Sequence, residues 1–484
     1  MNERLIRFTR PDMADTQPAA LIAALARRLG PKSVVTDRDA IAPWLTDWRG
    51  RFHGDAAAII APADTDEVAL VVRMAAGAGV PLVPQGGNTS MVGGATPPAD
   101  GAALILSTRR MNRLRSLDAG AGLAVAEAGM ILSDLHDAAA GAGWRFPLSL
   151  GAKGSATIGG LVSTNAGGTQ VLRFGTMRSL VAGIEAVLPD GTIYRGLAAL
   201  KKDNRGYDLR HLLIGAEGTL GIVTAAALIL KPQPGDRAVA WAGLASPAQA
   251  LALLRRLEAA TGDAIESFEI LPAESLAAVL RHIPATRAPL AGDHAWHVLI
   301  EAVTKTTGAA ALIEPLLADA LESGLLQDAT IAASEAQAAA FWKLRESISE
   351  AERADGPAVQ HDISVPVADM PRFMIEAAAA AERAFPGTRA SAFGHLGDGN
   401  VHFHVRAGAG AGPDWVAGHG PAISAFVYDL VDAAGGSLSA EHGIGQMKLG
   451  SFARLTDPGR LAALRAIKQA LDPRGIMNPG KLIP

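Results

Sequence analysis

Two glycine-dense tracts constrain what this chain can fold into more than any other feature. The first, Pro84-Gln85-Gly86-Gly87-Asn88-Thr89-Ser90-Met91-Val92-Gly93-Gly94, directly follows an apolar run at residues 80–84 that reads as a strand. The second, SLGAKGSATIGGLVSTNAGG at residues 149–168, carries Gly151, Gly154, Gly159, Gly160, Gly167 and Gly168. Glycine at this density weakens regular elements, since it brings no side chain to pack. It suits a backbone that must approach something closely, and paired glycines let N–H groups converge into a nest fit for a pyrophosphate. Thr89, Ser90, Thr157, Ser163, Thr164 and Asn165 add donors and acceptors for a polar ligand. Neither tract ends in the Gly-Lys-Ser/Thr of a Walker loop, and the first is not a G-x-G-x-x-G dinucleotide turn. Taken alone, a flexible loop and a set of tight turns stay open as readings of the two tracts.

The surrounding pattern is mixed. Asp64 or Thr65 can cap a helix whose stripe is Val68, Val71, Val72 and Ala75. With strands expected at 56–61 and 80–84 this makes a β-α-β unit. A helix is also expected at 20–28, and another at 135–142 started by Ser133. Short strands are expected at 103–107, 123–127, 181–188, 192–194 and 220–230. Lys231-Pro232-Gln233-Pro234-Gly235 then breaks the pattern, and the first domain boundary is placed there. Residues 236–450 alternate helices (247–259, 370–385) with strands (296–302, 401–406), an α+β sandwich with a Gly/Ala-rich loop at 407–413. In the tail, Asp457-Pro458 opens a helix with Leu461, Leu464, Ile467 and Leu471 on one face.

Composition narrows the functional classes. A length of 484 residues, 49% of them hydrophobic, supplies two or three lobes with real cores. The net charge of −4 and the scatter of basic residues argue against a nucleic-acid partner. The chain has no cysteine, which removes disulfides, iron–sulfur clusters, a thiol nucleophile and a cysteinyl-linked cofactor. No apolar run approaches the roughly 20 residues of a membrane span, and the opening MNERLIRFTRPDMAD has no signal-peptide core, so a cytoplasmic location is expected.

Five of the twelve histidines fall between residues 395 and 442: His395, His402, His404, His419 and His442. Asp398-Gly399-Asn400 is a turn signal that can fold His395 back toward His402, and His402 and His404 then share one strand face. Ser439-Ala440-Glu441-His442-Gly443 adds a carboxylate and an imidazole. Two histidines and a glutamate make a plausible set for a catalytic divalent metal with an open position. Zinc suits that set, and manganese or iron also fit it. Histidines that merely satisfy buried polar groups are the plain alternative.

These residues together resemble a known family. The tracts at 84–94 and 149–168, KKDNRGYDLRHLLIGAEGTLGIVT at 201–224 and GIMNPGK at 475–481 look like the FAD-binding domain of the vanillyl-alcohol oxidase/p-cresol methylhydroxylase superfamily. HLGDGN at 395–400 and SAEHG at 439–443 resemble the C-terminal domain of its FAD-linked D-lactate, glycolate and D-2-hydroxyglutarate dehydrogenases. STNAGGTQVLRFGTMRSL at 163–180 and KDNRGYDL at 202–209 look like the hydroxyglutarate branch.

The resemblance implies an α+β fold. A two-part FAD-binding domain would span residues 1–235, a substrate- and metal-binding cap 236–450, and a segment at 451–484 would return to the FAD domain. The cofactor would meet Pro84, Gly86, Gly87, Asn88, Thr89, Ser90, Ser149, Gly154, Thr157, Gly159, Gly160, Ser163, Asn165 and Gly167. Further on it would meet Glu217, Gly221, Ile222, Val223 and Asn478. FAD would be non-covalent, since residues 84–94 hold no histidine to attach it.

By the same resemblance His395, His402 and Glu441 hold the metal and His442 is the base. Arg345, in FWKLRESISEA, takes a substrate carboxylate, with Ser349 one helical turn on where the branch has a threonine. The metal would lower the pKa of the substrate hydroxyl, His442 would remove its proton, and hydride would pass to the flavin.

Two positions depart from the branch. Gln360 stands where a lysine is expected, and His404 where an asparagine is expected. Both weaken the case for a second carboxylate, so D-lactate, D-malate and glycolate oxidation stand beside D-2-hydroxyglutarate as expectations. A metal hydrolase would leave the glycine tracts without purpose, and an electron-carrier flavoprotein would leave the histidine cluster without one. The acceptor of the electrons, whether an electron-transfer flavoprotein, a quinone or a dye, is not written in the sequence. A homodimer is compatible with it.

Overall fold

The computed structural model describes residues 16–412 and 414–484. Its N-terminal part opens with the helix Thr16–Leu29 and builds a four-stranded sheet, in which Ile59–Ile60 and Leu82–Gln85 flank Leu104–Ser107 in parallel. Between them runs the helix Thr65–Ala78. Its N-cap Asp64 accepts the Glu67 N–H, its stripe Val68, Val71, Val72 and Ala75 is fully buried, and Gly79 ends it in the left-handed region. This is the β-α-β unit expected from the sequence. A second, antiparallel sheet of five strands follows, ordered Leu114–Asp118, Leu123–Glu127, Ile222–Ile229, Val181–Val187, Ile193–Gly196.

Two local expectations differ from what is found. The helix expected from Ser133 begins at Leu132, with Ile131 as an N-cap that makes no side-chain bond. More consequentially, the second glycine tract contains a helix, Ile158–Thr164. Gly159 is small for a packing reason: a Cβ there would lie 2.6 Å from that of Ala128, whose carbonyl accepts the Gly159 N–H at 2.7 Å.

The cap is one seven-stranded antiparallel sheet. Its order is Asp328–Ile331, Asp236–Leu244, Trp296–Thr304, Ile265–Pro272, Arg389–His395, Asn400–Arg406, Ala358–Ser364. Alternation along each strand assigns side chains to two faces. Ala240, Ala242, Ile270 and Ile300 pack under the helices Pro247–Thr261, Ala309–Glu322, Met370–Ala384 and Trp415–Ala433.

Val239, Trp241, Leu271 and Leu299 take the other face, under Ala273–His282 and Glu335–Glu346. That second face turns polar across the last strands, because Glu269 pairs with His395, Asp362 with His402 and Gln360 with His404. The tail crosses back. Leu461 of the helix Pro458–Leu471 packs in the cap core, while Ile476 and Met477 join the core around Val68 and Leu82. The Leu82 N–H donates to Ile476 O at 2.8 Å, and Asn478 N–H donates to Leu82 O at 2.9 Å.

Candidate flavin and substrate site

A cleft of about 970 Å³ runs between the glycine tracts and the polar end of the cap sheet. On one wall it is lined by Pro84, Gly86, Gly87, Asn88, Thr89, Ser90, Gly154, Thr157, Gly159, Gly160, Ser163, Gly167, Gly221, Ile222 and Val223. The two tracts pack on each other along this wall. A Cβ on Gly86 would meet Thr157 Oγ1 at 2.1 Å, and one on Gly87 would meet Ser155 O at 1.8 Å. Thr108 and Thr157 line the same space, and their buried hydroxyls have no hydrogen-bond partner among the described residues. A long ligand with several acceptors, such as FAD, fits these residues.

Other expected cofactor residues are spent on holding the wall together. Asn165 sits in the left-handed region at the end of Ile158–Thr164, and its Oδ1 accepts Thr176 Oγ1–H and Arg178 N–H, both at 2.9 Å. Ser149 lies behind the wall, where its carbonyl accepts the Thr169 N–H. Asn478, also at positive φ, donates from Nδ2 to Gly94 O at 3.0 Å and to Glu217 O at 2.6 Å. Glu217 also lines the cleft, and its buried carboxylate accepts the N–H groups of Ile444 (2.7 Å) and Gly445 (2.8 Å). It thereby ties the loop after His442 to the glycine-rich half.

The opposite wall carries Gln360, His361, Asp362, His402, His404, Glu441 and His442. The hairpin through 395–400 folds as expected, and the ligand atoms of His395, His402 and Glu441 lie within 4.8 Å of one another. His395 Nδ1 is 2.7 Å from Glu269 Oε1, which leaves Nε2 toward the cluster. Burial opposes a charge on His395, but the Glu269 carboxylate outweighs it and lifts the imidazole to about 9. Burial pushes Glu441 up to about 7 and His402 well below its ordinary value. An imidazole pair and a high-pKa carboxylate so close together are the donor set a divalent cation satisfies, so the residues fit one.

Asp362, which the sequence reading did not single out, organises this wall. Its Oδ2 accepts the backbone N–H groups of Glu441 and His442, each at 2.9 Å, and lies 3.4 Å from His442 Nδ1. Its Oδ1 accepts from Asn400 Nδ2 at 2.9 Å. Burial works against its charge, but His442, Lys448 and His402 hold the carboxyl far below the ordinary range. Burial lowers His442, so its imidazole is neutral and able to accept a proton. The available signal was a carboxylate set within the apolar strand pattern AVQHDISV; the same holds for Glu269 in IESFEILP.

Arg345 and His395 stand one layer behind the cleft. Arg345 donates from Nε to Glu269 Oε2 at 2.7 Å and stacks over Phe393, while its Nη groups have no hydrogen bond to the described residues. Ser349 reaches the cleft wall. His404 is buried against Glu352, which also accepts Ser275 Oγ–H at 3.0 Å and Ser391 Oγ–H at 3.1 Å. Gln360 Oε1 accepts from Arg49 Nη1 at 3.2 Å. Arg49, Arg51 and Arg353, none of them singled out in the sequence, line this end of the cleft.

Fold and cleft define a flavin-dependent oxidoreductase. Residues 56–196 match the FAD binding domain model and residues 233–482 the model for FAD linked oxidases, C-terminal domain. The chain is 38% identical to the mitochondrial D-2-hydroxyglutarate dehydrogenase of Bos taurus, over 96% of this chain and 83% of the bovine one. It is 36% identical to the mitochondrial enzyme of that name from Arabidopsis thaliana, over 94% and 80% of the two chains. It is likewise 36% identical to D-2-hydroxyglutarate dehydrogenase of Xanthomonas citri pv. viticola, over 90% and 91%.

The fold is that of p-cresol methylhydroxylase with substrate bound, with a TM-score of 0.74 at 16% identity over 96% of both chains. 4-Ethylphenol oxidase from Gulosibacter chungangensis shares it, with a TM-score of 0.72 at 20% identity over 98% of both chains. The chain therefore belongs to the FAD-linked D-2-hydroxy acid dehydrogenases, in the D-2-hydroxyglutarate dehydrogenase branch.

Proposed function

We propose that this enzyme oxidises a D-2-hydroxy acid, D-2-hydroxyglutarate above others, to the 2-oxo acid in the cleft between the glycine tracts and the cap sheet. One observation carries the reading: His402, Glu441 and His442 line the same cleft as Gly86, Gly87, Thr157 and Ser163. Gly86, Gly87, Thr157 and Ser163 would hold FAD along the tracts, and it would supply the hydride acceptor. His395, His402 and Glu441 would hold a divalent metal, zinc by its donor set, and that ion would polarise the substrate hydroxyl.

The protein's own groups do the rest. Asp362 orients His442 through Nδ1, leaving Nε2 to take the hydroxyl proton. Arg345, fixed at Nε by Glu269, turns its Nη groups to the C1 carboxylate and so sets which face of the α-carbon meets the flavin. Ser349 adds a hydroxyl beside it. Residues 1–235 and 451–484 make up the flavin-binding unit in this reading, and 236–450 the cap.

The histidines on the cleft wall are His361, His402, His404 and His442, all in the cap sheet or its loop and none in residues 84–94. FAD is therefore non-covalent in this reading. Electrons leave for an acceptor outside the chain, which has no cysteine for an iron–sulfur relay. Among the described residues no helix is long and apolar enough to cross a membrane. Cytoplasmic residence is part of the proposal, and cell fractionation tests it, because the plant and animal relatives are named mitochondrial.

The enzymatic test is turnover of the purified yellow protein with an artificial dye against a panel of D- and L-2-hydroxy acids. Preference for D-2-hydroxyglutarate supports the reading. Activity confined to D-lactate, D-malate or glycolate would move the substrate assignment to that acid.

A further inference from the structure

The loop before the strand Ile59–Ile60 carries a charge arrangement that the flavin, the metal and the base leave unused. Asp47 closes it as a tight turn: its Oδ1 accepts the N–H groups of Arg51 and Phe52, each at 2.6 Å, and its carbonyl accepts Gly50 N–H at 2.9 Å. Its carboxylate bonds to backbone N–H groups and makes no direct ion pair with either arginine of the turn, although its charge partly supports Arg49. Arg49 is half-buried, lies over the Trp48 ring at 5.1 Å, and donates to Gln360 across the cleft. Arg353, from the helix Ile348–Ala354, lines the same end, with Arg51 at the rim. None of the three forms an ion pair among the described residues, although Glu346 and Glu350 also line the cleft. Burial, and next the charges of Arg353 and Arg51, push the Arg49 guanidinium down to about 10.

Arg51 and Arg353 are exposed and Arg49 is half-buried, and the positive potential that the three set up at this end of the cleft favours an anion there. The anion's position relative to the reacting centre follows from the sheet. Gln360 and Asp362 are two apart on one strand face, roughly 6.5 Å along it. Arg49 contacts the first, and His442 and the metal-ligand cluster contact the second. An acid whose α-carbon lies at His442 and whose chain extends along this strand brings a far carboxylate to the arginines.

We propose that Arg49 and Arg353, with Arg51 at the rim, form the binding site for the second carboxylate of a dicarboxylic 2-hydroxy acid. They supply the positive charge that Gln360 lacks. Arg49 comes from the flavin-binding half and Arg353 from the cap, so a dicarboxylate bridges the two parts as it binds. The proposal rests on the 2-hydroxy acid reading above.

The test uses the FAD-loaded enzyme and the variants Arg49→Gln, Arg353→Gln and the pair. Each lost charge-assisted contact is worth on the order of tenfold in affinity. The ratio of kcat/KM for D-2-hydroxyglutarate to that for D-lactate should therefore fall on the order of a hundredfold in the double variant, mainly through KM. An unchanged ratio overturns the proposal. So does a loss of FAD with the ratio intact, which would assign the guanidinium groups to the cofactor.

If neither acid reduces the parent enzyme, the substrate reading has failed, and binding decides the arginine site by itself. Glutarate should then perturb the flavin spectrum at lower concentration than butyrate, and the double variant should lose that difference. Equal affinity of the parent for the two acids overturns the site.

Discussion

Asp362 lies outside the histidine-rich window at 395–442, yet it holds Glu441 and His442 by their backbones and stands beside the His442 imidazole. Asp362→Asn keeps the size and removes the charge. A misoriented general base costs about two orders of magnitude in rate. We expect kcat of the FAD-loaded variant to fall on the order of a hundredfold, and the melting temperature to fall as well, because the amide must turn an N–H donor toward Asn400 or the backbone N–H groups of Glu441 and His442. A full rate in this variant would show that His442 is not held by Asp362 when it acts. Gln360 illustrates the limit of reading one residue at a time. Its neutral amide suggested a pocket poor in charge, but Arg49, 311 positions away in sequence, lies against it. Nothing in local spacing announces such a pair, because it is made by two distant segments meeting across a cleft.

At the scale of elements, what could be read was what local physics decides. The caps at Asp64 and Asp457, the stripe of Thr65–Ala78, the turn at 395–400 and the shared face of His402 and His404 all follow from short-range rules. The helix Ile158–Thr164 was illegible because glycine counts against a helix, and only the approach of Ala128 explains why Gly159 is needed there.

Glu266, in the cap strand Ile265–Pro272, is a further case. It is fully buried and accepts from Arg145 (2.6 and 2.7 Å), Gln170 (2.7 Å) and Arg173 (3.0 Å), all from the glycine-rich half. Removing one partner of such a buried network strands the others, so Glu266→Ala should cost about 3 kcal/mol, read by chemical denaturation. Burial raises the Glu266 carboxyl, but Arg145, Gln170 and Arg173 more than offset this and leave it below its ordinary value. Its ionised form therefore contributes stability that is present above the ordinary carboxylate range and lost as pH falls through the lowered folded-state value. The gap in stability between parent and Glu266→Gln should be widest near neutrality and close in acid. A gap independent of pH would mean the charge is not what holds the junction.

For the whole molecule, the glycine tracts and the histidine cluster could each be recognised in the sequence, but not that they face one another. That follows from the tail, whose Asn478 joins Gly94 to Glu217, and from Glu217, which fixes the loop after His442. The central claim is that these two halves make one site, in which the metal-ligand cluster prepares a D-2-hydroxy acid for hydride transfer to FAD. Anaerobic mixing with D-2-hydroxyglutarate, before and after removal of divalent ions by a chelator, tests it most directly. The account predicts that the D-enantiomer bleaches the visible flavin band and the L-enantiomer does not, and that chelation stops the bleaching without releasing FAD. Bleaching that persists in metal-free protein, or that is equal for the two enantiomers, would contradict it.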